Sequence, residues 1–200
     1  EELPCGEFQM CVPCVEDDET ECEAPAVCTG PCDIHPDDAA SAGCSFLANR
    51  MLHSYEGAVD GLIVGNPSED TAATVQLFRV QEGTNAEEAV GEPFLLDPLE
   101  SHVFELDNSF ITGVSSLLRN GGNYRVQSNI PIIAYQHSPL ANEHRNDASM
   151  LLPEAALGND YVVASYNPRV NFDINIDLRP SYFTVIAAEN DTVCLLYTSD

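Results

Sequence analysis

The sequence predicts an all-β fold: an antiparallel, β-sandwich-like module preceded by a cysteine-rich, disulfide-stapled loop segment. Three observations carry that expectation. Seven of the eight cysteines fall between Cys5 and Cys44. Beyond them the apolar runs are short and separated by turn residues, and segments with helical spacing are few and brief. Many short strands with frequent turn signals indicate a sandwich or barrel.

The first element is the cysteine-rich segment, residues 1–43. Its cysteines sit among Pro, Gly, Glu and Asp with little hydrophobic periodicity, so the segment cannot build a core of its own. In an oxidising compartment it is expected to be held by crosslinks, each contributing about 2–4 kcal/mol. Cys5, Cys11, Cys14, Cys22, Cys28, Cys32 and Cys44 are therefore disulfide candidates, and the compartment they imply is extracellular. The rival is a zinc site, because Cys11 and Cys14 form one C-x-x-C motif with His35 nearby. A zinc ribbon needs a second such motif at a set distance, and the remaining gaps are irregular. A redox C-x-x-C lacks its βαβ context. Seven cysteines leave one that is free or paired outside the chain.

Residues 44–158 read as one β module. Gly61–Gly65, the turn Asn66-Pro-Ser-Glu-Asp70 and Thr74–Val80 read as a hairpin. Further strands are expected at Glu92–Leu96, His102–Leu106, Tyr124–Ser128, Pro131–His137, Tyr161–Tyr166 and Tyr182–Ala188. In the Tyr124 run, Tyr124 and Val126 share one face while Arg125 and Gln127 share the other, as in a half-buried strand. Pro131 is placed at a strand start, where its missing N–H costs least. Asn85–Val90 and Val114–Arg119 could each make a helical turn or two, and Asp147–Leu157 is interrupted by Pro153.

Leu62–Thr71 and Phe183–Thr192 each run from an apolar strand into an acidic turn ending in Asp-Thr. Residues 159–193 are accordingly read as the start of a second, truncated β module. Residues 194–200 resemble the translation of a transposon-based sequencing adapter and are set apart as read-through of a metagenomic fragment. On that reading Cys194 is no native disulfide partner.

Charge narrows the partners. The chain carries 33 acidic against 7 basic side chains, all of the latter arginines, for a net charge of −26. Phosphate backbones and anionic headgroups are repelled by such a surface, so neither nucleic acid nor a membrane surface is an expected partner. Cations and basic surfaces remain, and the acidity also suits salty water, where screening removes most self-repulsion. No stretch approaches the run of about 18 apolar residues that spans a bilayer. The N-terminus shows no signal-peptide pattern, so the chain is expected to start downstream of an export signal.

Catalytic signatures are absent from the sequence: there is no G-x-S-x-G elbow, no phosphate loop and no H-E-x-x-H. His137, Ser138, His144 and Asp147 lie close together, yet without the spacing of a known base and nucleophile. A non-catalytic role is expected. Calcium is the better chemical candidate and the one cofactor considered. Asp173, Asn175 and Asp177 place three oxygen ligands on one face of an extended chain, although Leu178 stands where an EF-hand loop needs glycine. Ser68-Glu-Asp70 and Glu16–Glu19 are further donor sets.

Several of these segments together resemble a known family. Gly61-Leu-Ile-Val-Gly-Asn-Pro67, Tyr124-Arg-Val-Gln-Ser-Asn-Ile-Pro-Ile-Ile-Ala-Tyr-Gln136, Asn146-Asp-Ala-Ser-Met-Leu-Leu-Pro153, Leu157-Gly-Asn-Asp-Tyr161 and Ser181-Tyr-Phe-Thr-Val185 look like the N-terminal domain of the IgGFc-binding protein family. The nearest likeness is to versions in large secreted proteins of myxobacteria and similar bacteria, which often carry a cysteine-rich segment upstream. It covers roughly Gly43 to Val193, and Tyr124–Pro153 is its most specific part. The resemblance implies tandem β modules on a secreted or cell-surface protein. Binding or adhesion is the implied role, with an extracellular protein or glycan as ligand and neighbouring modules of the same chain as further partners. It carries no catalytic residues. The rival readings are a purely structural repeat of a surface or filament protein and an extracellular hydrolase. An exposed apolar or aromatic patch on the sheet favours binding, whereas complementary module ends favour assembly.

Overall fold

The computed structural model describes residues 10–12, 27–29, 32, 40–51, 59–106, 118, 120–140, 147–164, 182–189 and 191–197. Within the cysteine-rich segment, β1 (Met10–Val12) and β2 (Val27–Thr29) form an antiparallel ribbon in which Cys11 stands opposite Cys28. The Cys32–Cys44 disulfide, with Cα atoms 5.6 Å apart, ties the segment to the first strand of the main body.

That body contains β3 (Gly43–Ala48), β4 (Gly61–Gly65), β5 (Ala73–Val80), β6 (Glu87–Leu96), β7 (Ser101–Glu105), β8 (Tyr124–Ser138) and β9 (Asp147–Met150). A single 3-10 turn at Glu154–Ala156 is the one helical element among the described residues. The fold is all-β, and every strand pairing is antiparallel.

The long strand β8 organises the rest. Its first part, Tyr124–Ser128, lies between β5 and β3, and its second part, Ile133–Ser138, lies between β4 and β9. With β6 outside β5 and β7 outside β4, two four-stranded sheets, β6-β5-β8-β3 and β7-β4-β8-β9, share one strand. Side chains alternate along β8, so Tyr124, Val126, Ile132 and Ala134 all face inward. They meet Phe46, Leu62, Val64, Val75, Leu77, Leu96 and Leu106 in the core between the sheets. At one edge of this sandwich His102 of β7 stacks on Phe94 of β6, ring centroids 4.2 Å apart, and meets Phe104 edge-on at 4.6 Å.

Several sequence expectations change here. Gly61–Gly65 and Thr74–Val80 are both strands but form no hairpin, since β4 pairs with β7 and β8 while β5 pairs with β6 and β8. The cause lies in the intervening loop. Asn66 donates its side-chain amide to the carbonyls of Thr71, Leu96 and Asp97, at 2.8, 3.1 and 3.3 Å, which draws the loop toward the turn after β6. Tyr124–Ser128 and Pro131–His137 are one strand. Pro131 falls where β8 leaves one pair of neighbours for the other, and there its missing N–H removes no ladder bond.

Within Asn85–Val90, Glu87–Val90 joins β6 and no helical turn forms, because these residues pair with Leu77–Val80 and pairing outweighs weak helix propensity. Asp147–Leu157 divides into β9 and the 3-10 turn, with Pro153 just before that turn. Residues 161–164 and 182–188 are not part of a strand, contrary to the strands expected there, and all of them but the half-buried Ile186 are exposed. Val114–Arg119 lies outside the described residues except for Leu118. Among the described residues no helix is long and apolar enough to cross a membrane.

Candidate functional site

The outer faces of the two sheets differ in how their apolar side chains are arranged. On β6-β5-β8-β3 polar and apolar side chains mix on the outer face: Ser45, Gln127 and Gln76 stand in one row, Leu47, Arg125 and Phe78 in the next, and Leu95 of β6 is 61% exposed. Arg125 reaches Glu87 at 3.1 Å and Glu154 at 3.0 Å, and Glu154 also accepts a hydrogen bond from the Ser45 hydroxyl. This network fastens the 3-10 turn beside β3. Next to it lies a shallow cleft of about 300 Å³ lined by Cys32, Cys44, Ser45, Gln127, Pro153 and Ala155. No charged groups converge in it.

The outer face of β7-β4-β8-β9 is apolar across its centre. Val103, Ile63, Tyr135 and Met150 stand directly opposite one another across the four strands, forming one continuous apolar row. Val103 and Met150 are each 43% exposed, and Tyr135 is 36% exposed. Leu152, just past β9, adds a further side chain at 48%.

Glycine shapes the surface around the row. Gly61 and Gly65 flank Ile63 on the same face of β4. A β-carbon at Gly61 would lie 2.5 Å from Leu140 Cδ1, and one at Gly65 would lie 3.2 Å from Ile133 Cγ1. Leu140 and Ile133 therefore lean over β4 from either end of the face. A contiguous apolar patch on a chain this acidic is the kind of exposed surface that marks an interaction site.

Of the residues singled out in the sequence for catalysis, those among the described residues are not brought together. Ser138 faces inward, donating to Asp60 Oδ1 at 2.6 Å, whereas its neighbour His137 faces outward, with Nδ1 3.0 Å from the Pro139 carbonyl. Adjacent strand residues project to opposite faces, so the two do not form a base and nucleophile. Asp147 Oδ1 accepts from the Ala148 amide, and His144 lies outside the described residues.

Asp173, Asn175 and Asp177, with Glu16–Glu19, also lie outside the described residues. Around Ser68–Asp70 the oxygens serve the turn itself: Asp70 Oδ1 accepts from the Ser68 and Thr71 hydroxyls at 3.2 and 2.8 Å. Among the described residues no cluster of three or more His, Cys, Asp or Glu side chains is placed to hold a metal. Of the cysteines, Cys32 and Cys44 are bonded and Cys194 is a free, exposed thiol. Cys5, Cys14 and Cys22 lie outside the described residues, and Cys11 and Cys28 are placed by their backbone alone.

Three buried polar residues were not anticipated. Asn66 organises the loop after β4. Asp60 accepts hydrogen bonds from the Met51 amide at 2.7 Å and from Ser138. Arg50, at the end of β3, donates from Nε to the Gly122 carbonyl at 3.3 Å. The apolar outer face did leave a trace in the sequence. Leu62-Ile-Val64, Val103-Phe104 and Ile132-Ile-Ala-Tyr135 are unbroken apolar runs rather than alternating ones, which is the mark of strands apolar on both faces.

No family model matches the chain, and no curated protein is significantly similar to it. Among solved structures the chain is similar to one titled Crystal Structure of Thermotoga maritima 1070, at 13% sequence identity and a TM-score of 0.35. That match covers 56% of this chain and 95% of that chain, and it is too slight to carry an argument about fold or function.

Proposed function

We propose that this chain is a non-catalytic binding or adhesion module of a secreted or cell-surface protein, of the IgGFc-binding N-terminal type. It holds an extracellular protein or glycan through the outer face of β7-β4-β8-β9. The observation that carries this reading is the row Val103, Ile63, Tyr135 and Met150, which crosses all four strands without a polar side chain and in which Val103, Tyr135 and Met150 are exposed. The Cys32–Cys44 bond is compatible with an oxidising, extracellular setting. Residues 44–158 form the binding unit on this reading, and 159–193 open the next module of a tandem array.

The test is saturable binding of the intact chain to plates coated with defined extracellular ligands: mucin, collagen, fibronectin, immunoglobulin G and acidic and neutral polysaccharides. The wild-type chain is compared with a Tyr135→Ser, Met150→Ser double variant. Both positions are exposed, so the variant should keep its β-sheet circular dichroism and its stability. Binding to at least one surface that the folded variant loses supports the proposal. Binding that the variant retains, or none to any surface, contradicts it.

A further inference from the structure

We infer that the partner of the β7-β4-β8-β9 face is a cationic amphipathic segment, with apolar side chains on one side and lysine or arginine at its flanks. This rests on the reading that the face binds, and it adds the chemistry of what is bound. The face is apolar along its centre and acidic at both ends. At the Gly65 end the loops 66–71 and 97–100 are joined by backbone hydrogen bonds from Asn66 N to Glu100 O at 2.9 Å and from Leu99 N to the carbonyls of Asn66 and Ser68, both at 3.1 Å. These two loops hold Glu69, Asp70, Asp97 and Glu100 at the rim, all exposed. At the opposite end Glu105 stands on the outer face itself, opposite Gly61.

Among the described residues no arginine lies on this face to offset these carboxylates. Of the arginines among the described residues, Arg79 and Arg125 lie on the other sheet and Arg50 is buried at the end of β3. Among the described histidines and arginines, His137 alone shares the outer face with Glu105. An apolar strip between acidic ends, on a chain of net charge −26, attracts a partner that is apolar in the middle and positive at its ends.

The same pattern disfavours other occupants. A second copy would set its own acidic rim against this one, and two chains of net charge −26 repel. Anionic polymers and lipid surfaces are repelled in the same way. A neutral apolar partner leaves the rim carboxylates unused, and apolar contact alone discriminates poorly between partners.

The experiment measures fluorescence anisotropy of three short labelled peptides against the full chain. One has a central leucine-rich stretch flanked by lysines, one has the same stretch flanked by glutamates, and one is oligolysine with the charge of the first. The leucine–lysine peptide is expected to bind saturably. It should bind roughly tenfold or more tighter than either other peptide, a free-energy gap readily measured. Tyr135→Ser should weaken it by a similar factor, and so should Glu100→Gln combined with Glu105→Gln, with circular dichroism confirming the fold of each variant.

Equal binding of oligolysine, unaffected by Tyr135→Ser, would reduce the effect to net charge and overturn the inference. Equal or tighter binding of the leucine–glutamate peptide, lost in Tyr135→Ser, would also overturn it, while leaving the face standing as a binding surface. Concentration-dependent dimers that Tyr135→Ser abolishes would identify a second copy as the occupant. If Tyr135→Ser alters neither peptide binding nor self-association, the inference and the proposed function both fail.

Discussion

A β-carbon at Gly121 would lie 2.0 Å from the backbone carbonyl oxygen of Gln81 and 2.7 Å from that of Thr84. Gly121 sits at φ +70°, where the chain crosses the turn between β5 and β6. Hydrogen bonds from Gly83 N to Asn120 O at 2.6 Å, from Gly122 N to Val80 O at 2.8 Å and from Val80 N to Asn123 O at 2.9 Å hold the two segments together. Backbone on both sides cannot give way. Gly121→Ala should therefore lower unfolding free energy by about 3 kcal/mol or more, the left-handed strain and the clash adding together. Gly83 has a similar φ of +84° but nothing within 4 Å of its added β-carbon. Gly83→Ala should cost only about 1 kcal/mol. Urea denaturation of the two variants checks the difference, and equal losses would count against the crossing.

The buried amide of Asn66 serves three carbonyls, and its Oδ1 accepts the Ser68 amide at 3.0 Å. Asn66→Ala leaves those groups without their partner and should cost roughly 2–3 kcal/mol, as expected for buried polar groups left unsatisfied. Asn66→Asp, close in shape, is no rescue, because it sets a carboxylate against carbonyl oxygens. Thermal unfolding of both variants measures the effect. A loss below about 0.5 kcal/mol in Asn66→Ala would show that the loop is held by other means.

Reduction of Cys32–Cys44, which closes a sequence separation of 12 residues, should lower stability by about 3 kcal/mol through the freedom returned to the unfolded chain. Maleimide labelling of the unreduced protein should modify Cys194, the free and exposed thiol, and leave Cys32 and Cys44 unlabelled until a reductant is added. Peptide mapping by mass spectrometry distinguishes these outcomes. Labelled Cys44 before reduction would refute the pairing.

Strand positions were the most legible part of the sequence. Gly61–Gly65, Thr74–Val80, His102–Leu106 and Tyr124–Ser128 all lie in or overlap strands, because alternation and bordering turn residues are local signals. Pairing is set by distant residues and was less legible. Leu62 stands opposite both Phe104 and Gln136, and no local pattern announces that β4 pairs with those strands and not with β5. Pro131 looked like a boundary because the usual cost of proline in a strand is a ladder bond, and at this crossing point there is none to lose. The candidate face was half legible. Apolar runs in β4, β7 and β8 showed strands apolar on both sides, but Ile63 and Tyr135 become neighbours only through β8, and Met150 joins them through a strand that sequence periodicity did not show.

Hydroxyl-radical footprinting of the intact chain, free and with the leucine–lysine peptide bound, tests the central claim most directly. Methionine sulfur is readily oxidised when exposed, so Met150 reports one end of the row and Tyr135 its centre. Both should be modified in the free protein and protected together by the peptide, while Phe46 and Val126 in the core stay unreactive in both states. If Tyr135 and Met150 are unreactive in the free chain, or stay fully reactive when peptide is bound, the outer face of β7-β4-β8-β9 is not the surface that recognises a partner.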